Sequence, residues 1–191
     1  PYTYTWSPTG GNTLTAINMS ADNYTFQVTD LNNCTLTKTL TIAQPSASLT
    51  AVIATNSVLC FGTSTGSALA TVNGGTSPYN FTWVPTGGNV TTAINMSAGN
   101  YSIQITDINN CTLTETLTIT QPSASLTAVI ATNSVLCYGN ASGSASATVN
   151  GGTNPYSYTW SPTGGNSLTA INLITGFYFL QITDINNCTL I

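Results

Sequence analysis

One phrase returns three times at a fixed interval, and that return limits what this chain can fold into. PYTYTWSPTGGN begins at Pro1, PYNFTWVPTGGN at Pro78 and PYSYTWSPTGGN at Pro155, each 77 residues after the last. Inside the phrase, aromatic residues alternate with polar ones (Tyr79, Phe81, Trp83). That two-residue period belongs to a strand with one buried face. The Pro-Thr-Gly-Gly-Asn run behind it is turn chemistry, because glycine reaches backbone angles that other residues avoid. The expectation is a small β-domain built on the aromatic strand and repeated along the chain. Units of this length bury most of their area within themselves, so they should follow one another as beads rather than stack as a solenoid.

The Gln-Pro pairs at Gln44-Pro45 and Gln121-Pro122 are the natural joints, since proline cannot continue a central strand and stiffens a link. They divide the chain into 1–44, the back part of one repeat, 45–121, a complete one, and 122–191, a nearly complete third. Both termini fall inside repeats, so the expectation is a window on a longer array.

Within the complete repeat, strands are predicted over 49–54, 67–72, 78–84, 89–96, 101–107 and 111–119. Only a short ribbon fits between 78–84 and 89–96, and the Gly-Gly pairs are expected in hairpin turns. No segment carries a useful helical period. About seven short strands, a Trp on the third and a Gly-x-Tyr corner before the penultimate one describe a sandwich. The fold class is therefore all-β: tandem immunoglobulin-like (fibronectin-III-like) β-sandwich domains. The expected core is Trp6, Trp83, Trp160, Tyr101 and Tyr178, with Ile103, Ile105 and Ile182 beside them. Glu115, and Lys38 one period earlier, fall on the apolar face of the last strand. There a charge discourages edge pairing, or a bulge turns it outward.

Only 3% of residues are charged, and the net charge is −4. Nucleic acid and anionic membranes are thereby excluded as electrostatic partners. No apolar run is long enough for membrane insertion as a helix. The polar surface has to be Thr, Ser and Asn, and so little like-charge repulsion leaves chains free to associate. The expected partners are copies of the same repeat array in a fibre, with surface glycans as a further candidate.

The five cysteines obey the period: Cys34, Cys111 and Cys188 form one series, Cys60 and Cys137 the other. Two per repeat in a small β-domain read as one disulfide per domain in an oxidising, extracellular setting. The expected pairs are Cys60–Cys111 and Cys137–Cys188, with Cys60–Cys188 between domains as the rival. Cys34–Cys60 fits poorly, because two onward-running strands separate the positions.

Catalysis has little to stand on. With no histidine, a Ser–His–Asp or Cys–His site is ruled out within this chain. Three of the five acidic residues (Asp30, Asp107, Asp184) are one repeat position in Thr-Asp-(Leu/Ile)-Asn-Asn-Cys, where a carboxylate caps the backbone of its own turn. No His and no Cys-x-x-Cys means no metal set, and no cofactor is implied. Asn18, Asn80, Asn95 and Asn140 head Asn-x-Ser/Thr triplets, acceptor patterns for N-glycosylation of low specificity in so Asn-rich a chain.

Three phrases together (Cys60-Phe-Gly-x-x-x-Gly66-Ser, Gly74-Gly-x-x-Pro78-Tyr-x-Phe-x-Trp83 and Gly99-x-Tyr101-x-Ile-x-Ile-Thr-Asp107-x-Asn-x-Cys111) resemble the SprB repeat. That repeat occurs in large surface adhesins of gliding bacteria and in related type IX-secreted proteins. The resemblance covers essentially the whole chain and implies a secreted, cell-surface adhesin or filament without an active site. Two alternatives stand beside it. One is a carbohydrate-binding array using exposed Tyr79 or Tyr156, which exposed Trp83 and Trp160 would favour. The other is a set of spacer domains in a larger secreted protein.

Overall fold

Every regular element in the computed structural model, which describes all residues from Pro1 to Ile191, is a β-strand. The chain divides into two units, Pro1–Ser48 and Leu49–Ile191. The first is a single antiparallel sheet of β1 (Thr3–Ser7), β2 (Asp22–Thr29) and β3 (Thr35–Ile42), in that order. Its strands are rich in β-branched threonine, which suits a pleated surface. Phe26 packs on Tyr4 and Trp6, with ring centroids 6.0 and 4.5 Å apart.

The second unit holds the other two repeats. The complete one consists of β4 (Thr50–Asn56), β5 (Gly66–Asn73), β6 (Asn80–Val84), β7 (Thr92–Met96), β8 (Gly99–Thr106) and β9 (Thr112–Ile119). These form two antiparallel three-stranded sheets, β4-β5-β7 and β6-β8-β9. The next repeat has the same plan in β10 (Thr127–Asn133), β11 (Gly143–Asn150), β12 (Tyr156–Ser161), β13 (Thr169–Leu173), β14 (Phe179–Asp184) and β15 (Thr189–Leu190). Its sheets are β10-β11-β13 and β12-β14-β15. Each repeat is thus a six-stranded sandwich, with one strand at each of the six ranges expected in the complete repeat.

The two sheets of a sandwich divide the core by size. Ala68, Ala70, Ala93 and Met96 come from one; Phe81, Trp83, Tyr101, Ile103, Ile105 and Ile119 come from the other. Small residues on one face let large rings from the other seat at interior density. Ala145, Ala147, Ala170 and Leu173 face Trp160, Leu180 and Ile182 in the same way.

The Pro-Thr-Gly-Gly-Asn segment does not close a ribbon. β6 pairs with β8, while β7 belongs to the opposite sheet, so residues 85–91 carry the chain from one sheet to the other. On the way they wrap the tryptophan: Trp83 N–H donates to Gly88 O at 3.2 Å, and its indole Nε1–H to Val90 O at 2.8 Å. A Cβ on Gly87, whose φ is +136°, would meet Trp83 Cβ at 2.8 Å and Ala93 Cβ at 2.9 Å. The Gly74-Gly75 turn likewise links different sheets (β5 to β6), so neither pair sits in the hairpin expected of it.

This crossover sets the strand directions. β6 starts beside the end of β8 (Asn80 opposite Thr106), and β7 finishes beside the start of β5 (Met96 opposite Gly66). Gly66 in turn touches Ile119 at the end of β9. Both β6 and β7 therefore run toward the same end of the sandwich, where a ribbon would have reversed them.

Trp6 and Tyr178, expected in the core, are half-buried. No second sheet of the first unit lies over Trp6. Tyr178 precedes β14, whose neighbour β15 reaches only Ile182 and Thr183, whereas Tyr101 sits opposite Leu117 on a full-length β9.

Candidate functional site: a bridged joint between repeats

Two local structures meet where the second unit's repeats join. One is the loop 57–65 between β4 and β5. Thr63 N–H donates to Cys60 O at 3.1 Å, closing a tight turn whose third residue, Gly62, has φ +77°. A type II turn requires such an angle at that position, hence glycine. Val58 anchors the loop: it is buried, and its N–H donates to Thr120 O at 2.8 Å. Gly62 N–H donates to Gln121 Oε1 at 2.9 Å. The loop thus lies at the finish of β9.

The other is the Asp-Ile-Asn-Asn-Cys turn. In the third repeat, Asp184 Oδ1 accepts from the N–H groups of Asn186 and Cys188 at 2.9 Å each, and Oδ2 accepts from Thr153 N–H at 2.9 Å. The carboxylate is buried with all these bonds made, which fixes the direction in which Cys188 leaves the turn. Asp107 repeats the arrangement with Asn109, Cys111 and Thr76 at 2.9, 2.9 and 3.1 Å. Burial alone raises the Asp107 pKa, but the backbone hydrogen bonds from Cys111, Thr76 and Asn109 outweigh it and hold the carboxyl below its ordinary value. Asp30 keeps the two local bonds, from Asn32 and Cys34, both at 2.8 Å.

The bridge joins these two structures. Cys60 is bonded to Cys188, 128 residues on, with Cα atoms 5.7 Å apart, inside the span such a bond requires. Around it, Asn186 Nδ2–H donates to Leu59 O and to Thr153 Oγ1, both at 3.1 Å, and Cys188 Sγ lies 3.5 Å from Leu59 O. Cys34, Cys111 and Cys137 are exposed free thiols.

The expected pairs Cys60–Cys111 and Cys137–Cys188 are therefore not formed. Cys60 lies beside the finish of β9 and Cys111 immediately before its start. Eight residues of strand at about 3.3 Å each separate the two by roughly 25 Å, several times the reach of a disulfide. The bond instead runs between repeats, because the Cys60 loop and the Cys188 turn occupy opposite ends of their own sandwiches and so face each other across the joint.

The remaining candidate residues lie elsewhere. Trp83 and Trp160 are core residues, 4% and 6% exposed. Tyr79 and Tyr156 are half-buried, and each hydroxyl donates at 2.7 Å to a glycine carbonyl, Gly74 O or Gly151 O. Asn18, Asn80, Asn95 and Asn140 are all exposed, with Asn18 and Asn95 in left-handed backbone. Glu115 is half-buried opposite Ile103 on edge strand β9, in unbroken register, so no bulge turns it outward; Lys38 is exposed opposite Phe26.

Fold and joint together define a class: small β-sandwich repeats in series, with neighbours stapled end to end by a disulfide. The SprB repeat family model matches two segments, residues 52–88 and 129–165. Each matched stretch runs from the first strand of a sandwich through its core tryptophan to the glycine pair behind it. SprB repeats are structural, non-enzymatic repeats of cell-surface, adhesin-type proteins. No curated protein matches this sequence.

Proposed function

We propose that this chain is a stretch of an extracellular, cell-surface stalk or fibre whose immunoglobulin-like repeats are held in series by disulfides. The Cys60–Cys188 bond carries the reading, because a covalent link across a joint resists bending and pulling in a way that a peptide linker alone does not. A disulfide of this kind persists outside the reducing cytoplasm. The sheet orders β4-β5-β7 and β6-β8-β9 match strands A-B-E and C-F-G of an immunoglobulin-like sandwich that has lost strand D. Tyr101 OH donates to Ser97 O at 3.0 Å, as the tyrosine corner of that fold does. The nearly uncharged Thr, Ser and Asn surface lets such strings lie side by side with few salt bridges.

Two measurements test this. Antibody against the repeats should label intact producing cells and lose its epitope to external protease; antigen confined to the cytoplasm would overturn the surface assignment. Small-angle scattering of the purified chain should give an elongated particle that becomes more flexible on reduction. A compact particle unaffected by reductant would overturn the stalk.

A further inference from the structure

A pull along this chain meets a weak place inside the sandwich. The peptide enters the complete repeat through β4 and leaves it through β9. These strands lie in different sheets: β4 pairs only with β5, and β9 only with β8. No ladder of backbone hydrogen bonds therefore joins the strand pulled at one end to the strand pulled at the other. Beyond core packing, what holds them is a few contacts past their ends. Val58 N–H donates to Thr120 O at 2.8 Å, the Ser57 and Thr120 hydroxyls lie 2.6 Å apart, and Gly62 N–H donates to Gln121 Oε1 at 2.9 Å.

The Cys60–Cys188 bond gives tension a route around that weak place. β4 is already extended over Thr50–Asn56, and only Ser57, Val58 and Leu59 separate it from Cys60, so this segment holds little slack. β4 runs toward the joint, and β15, which starts at Thr189 directly after Cys188, runs away from it. Both sulfurs are held in place. Asn186 Nδ2–H donates to Leu59 O at 3.1 Å, and Asp184 Oδ1 accepts from Cys188 N–H at 2.9 Å. The bonded residues are 128 apart in sequence with Cα atoms 5.7 Å apart, so everything between them is a closed loop that tension does not stretch.

We infer that this bond is a tension strap: force along the chain passes from β4 through the two sulfurs into β15, and the rest of both sandwiches is spared. Ambient thiol then sets how far the chain can be drawn out. The thiolate of a small thiol such as reduced glutathione attacks one sulfur, forms a mixed disulfide with that cysteine and releases the other as a thiolate, which takes up a proton. Cys60 and Cys188 are half-buried rather than enclosed. Force along the bond draws the departing sulfur away, so the exchange quickens under tension. Once the bond is cut, force runs through both sandwiches and opens them. The 128 residues between the two cysteines, at about 3.5 Å each when extended, then add roughly 45 nm. The strap rests on the stalk reading for the source of its tension, whereas the route of force follows from the bond and the strands.

Single-molecule force spectroscopy tests this on the whole chain, held by peptide tags at its two ends. The unit Pro1–Ser48 lies outside the strap and extends alike in either redox state. Fully drawn out, the reduced chain should exceed the oxidised one by roughly 45 nm. At constant force in reduced glutathione, the oxidised second unit should stay closed until the bond exchanges. Exchange should quicken with both force and thiol concentration, and the extension of about 45 nm should follow it. Cys137→Ser should behave as the wild type and Cys60→Ser as the reduced chain. The wild type with and without thiol gives the answer even where Cys60→Ser fails to fold.

A difference of about 18 nm, the length of the 51 positions from Cys60 to Cys111, would overturn the strap. So would an exchange rate indifferent to force, or exchange that waits on an earlier opening of the second unit. None of these results alters the surface-labelling test of the stalk, and antigen confined to the cytoplasm would leave the route of force as it is.

Discussion

Removing the Cys60–Cys188 bond should destabilise the second unit by an amount set by the loop it closes. The bonded residues are 128 apart, so the bond confines an unfolded loop that contains nearly all of both repeats. In the chain-entropy account that confinement is worth about 5 kcal/mol at 25 °C. The neighbouring Asn186–Leu59 hydrogen bond, about 1 kcal/mol net, is a small addition. The confinement acts in full only when both repeats unfold, since one folded repeat already orders much of the loop. The double variant Cys60→Ser, Cys188→Ser should therefore melt about 10–20 °C below the oxidised wild type in differential scanning calorimetry. Reductant should bring the wild type to the same temperature, and Cys137→Ser should melt like the oxidised wild type. A shift below about 2 °C would refute the reasoning. It would mean that the repeats melt separately and that the bond records their proximity without constraining them.

Two further outcomes follow from single side chains. Trp83→Ala should cost roughly 3–5 kcal/mol in denaturant unfolding, because the ring is buried and its Nε1–H is bonded to Val90 O at 2.8 Å. Trp6→Ala should cost clearly less, as Trp6 is half-buried; equal costs would contradict the core assignment. Asp107 has a folded pKa below its unfolded one, so its contribution is complete above the unfolded value of about 3.9 and is lost as pH falls through the lower folded value. Asp107→Asn places an N–H donor where Thr76 N–H or the turn needs an acceptor. It should lower stability near neutral pH and shrink the loss below about pH 4; an unchanged acid limb would refute the assignment.

The parts of this fold that were legible are those whose cause is local. Alternation marked 78–84, 101–107 and 111–119 as strands, and the structure has them at Asn80–Val84, Gly99–Thr106 and Thr112–Ile119. The capping role of Asp107 followed from its place before Asn-Asn-Cys. What failed was one connection. Reading 85–91 as a ribbon makes consecutive strands alternate in direction, which places the Cys60 loop and the Cys111 turn at the same end and invites a bond between them. The chain instead crosses to the other sheet, β6 and β7 run the same way, and Cys111 moves to the far end. Pro85 to Asn89 are turn chemistry in either case, and their composition does not state which sheet receives the next strand.

A pentapeptide shows why pairing lies outside what local sequence can state. Thr-Ala-Ile-Asn-Met occurs at 15–19 and again at 92–96. The second copy is strand β7, with Ala93 wholly buried and Met96 opposite Gly66; the first is not a strand, and Ala16 is half-buried. What differs is β5, which offers β7 a row of backbone partners and has no counterpart in the first unit. A strand of five residues gains too little from propensity alone and forms when an edge is presented to it. The cysteine turn behaves oppositely. At Asp30, Asp107 and Asp184 the carboxylate takes the same two backbone N–H groups, from two and four residues on, whether or not a second sheet lies opposite. The part that makes the joint is thus set by five consecutive residues, while the sandwich that positions it depends on strands far along the chain. That division suits an array lengthened by whole repeats: every copy carries a finished socket and needs only a neighbour's loop to fill it.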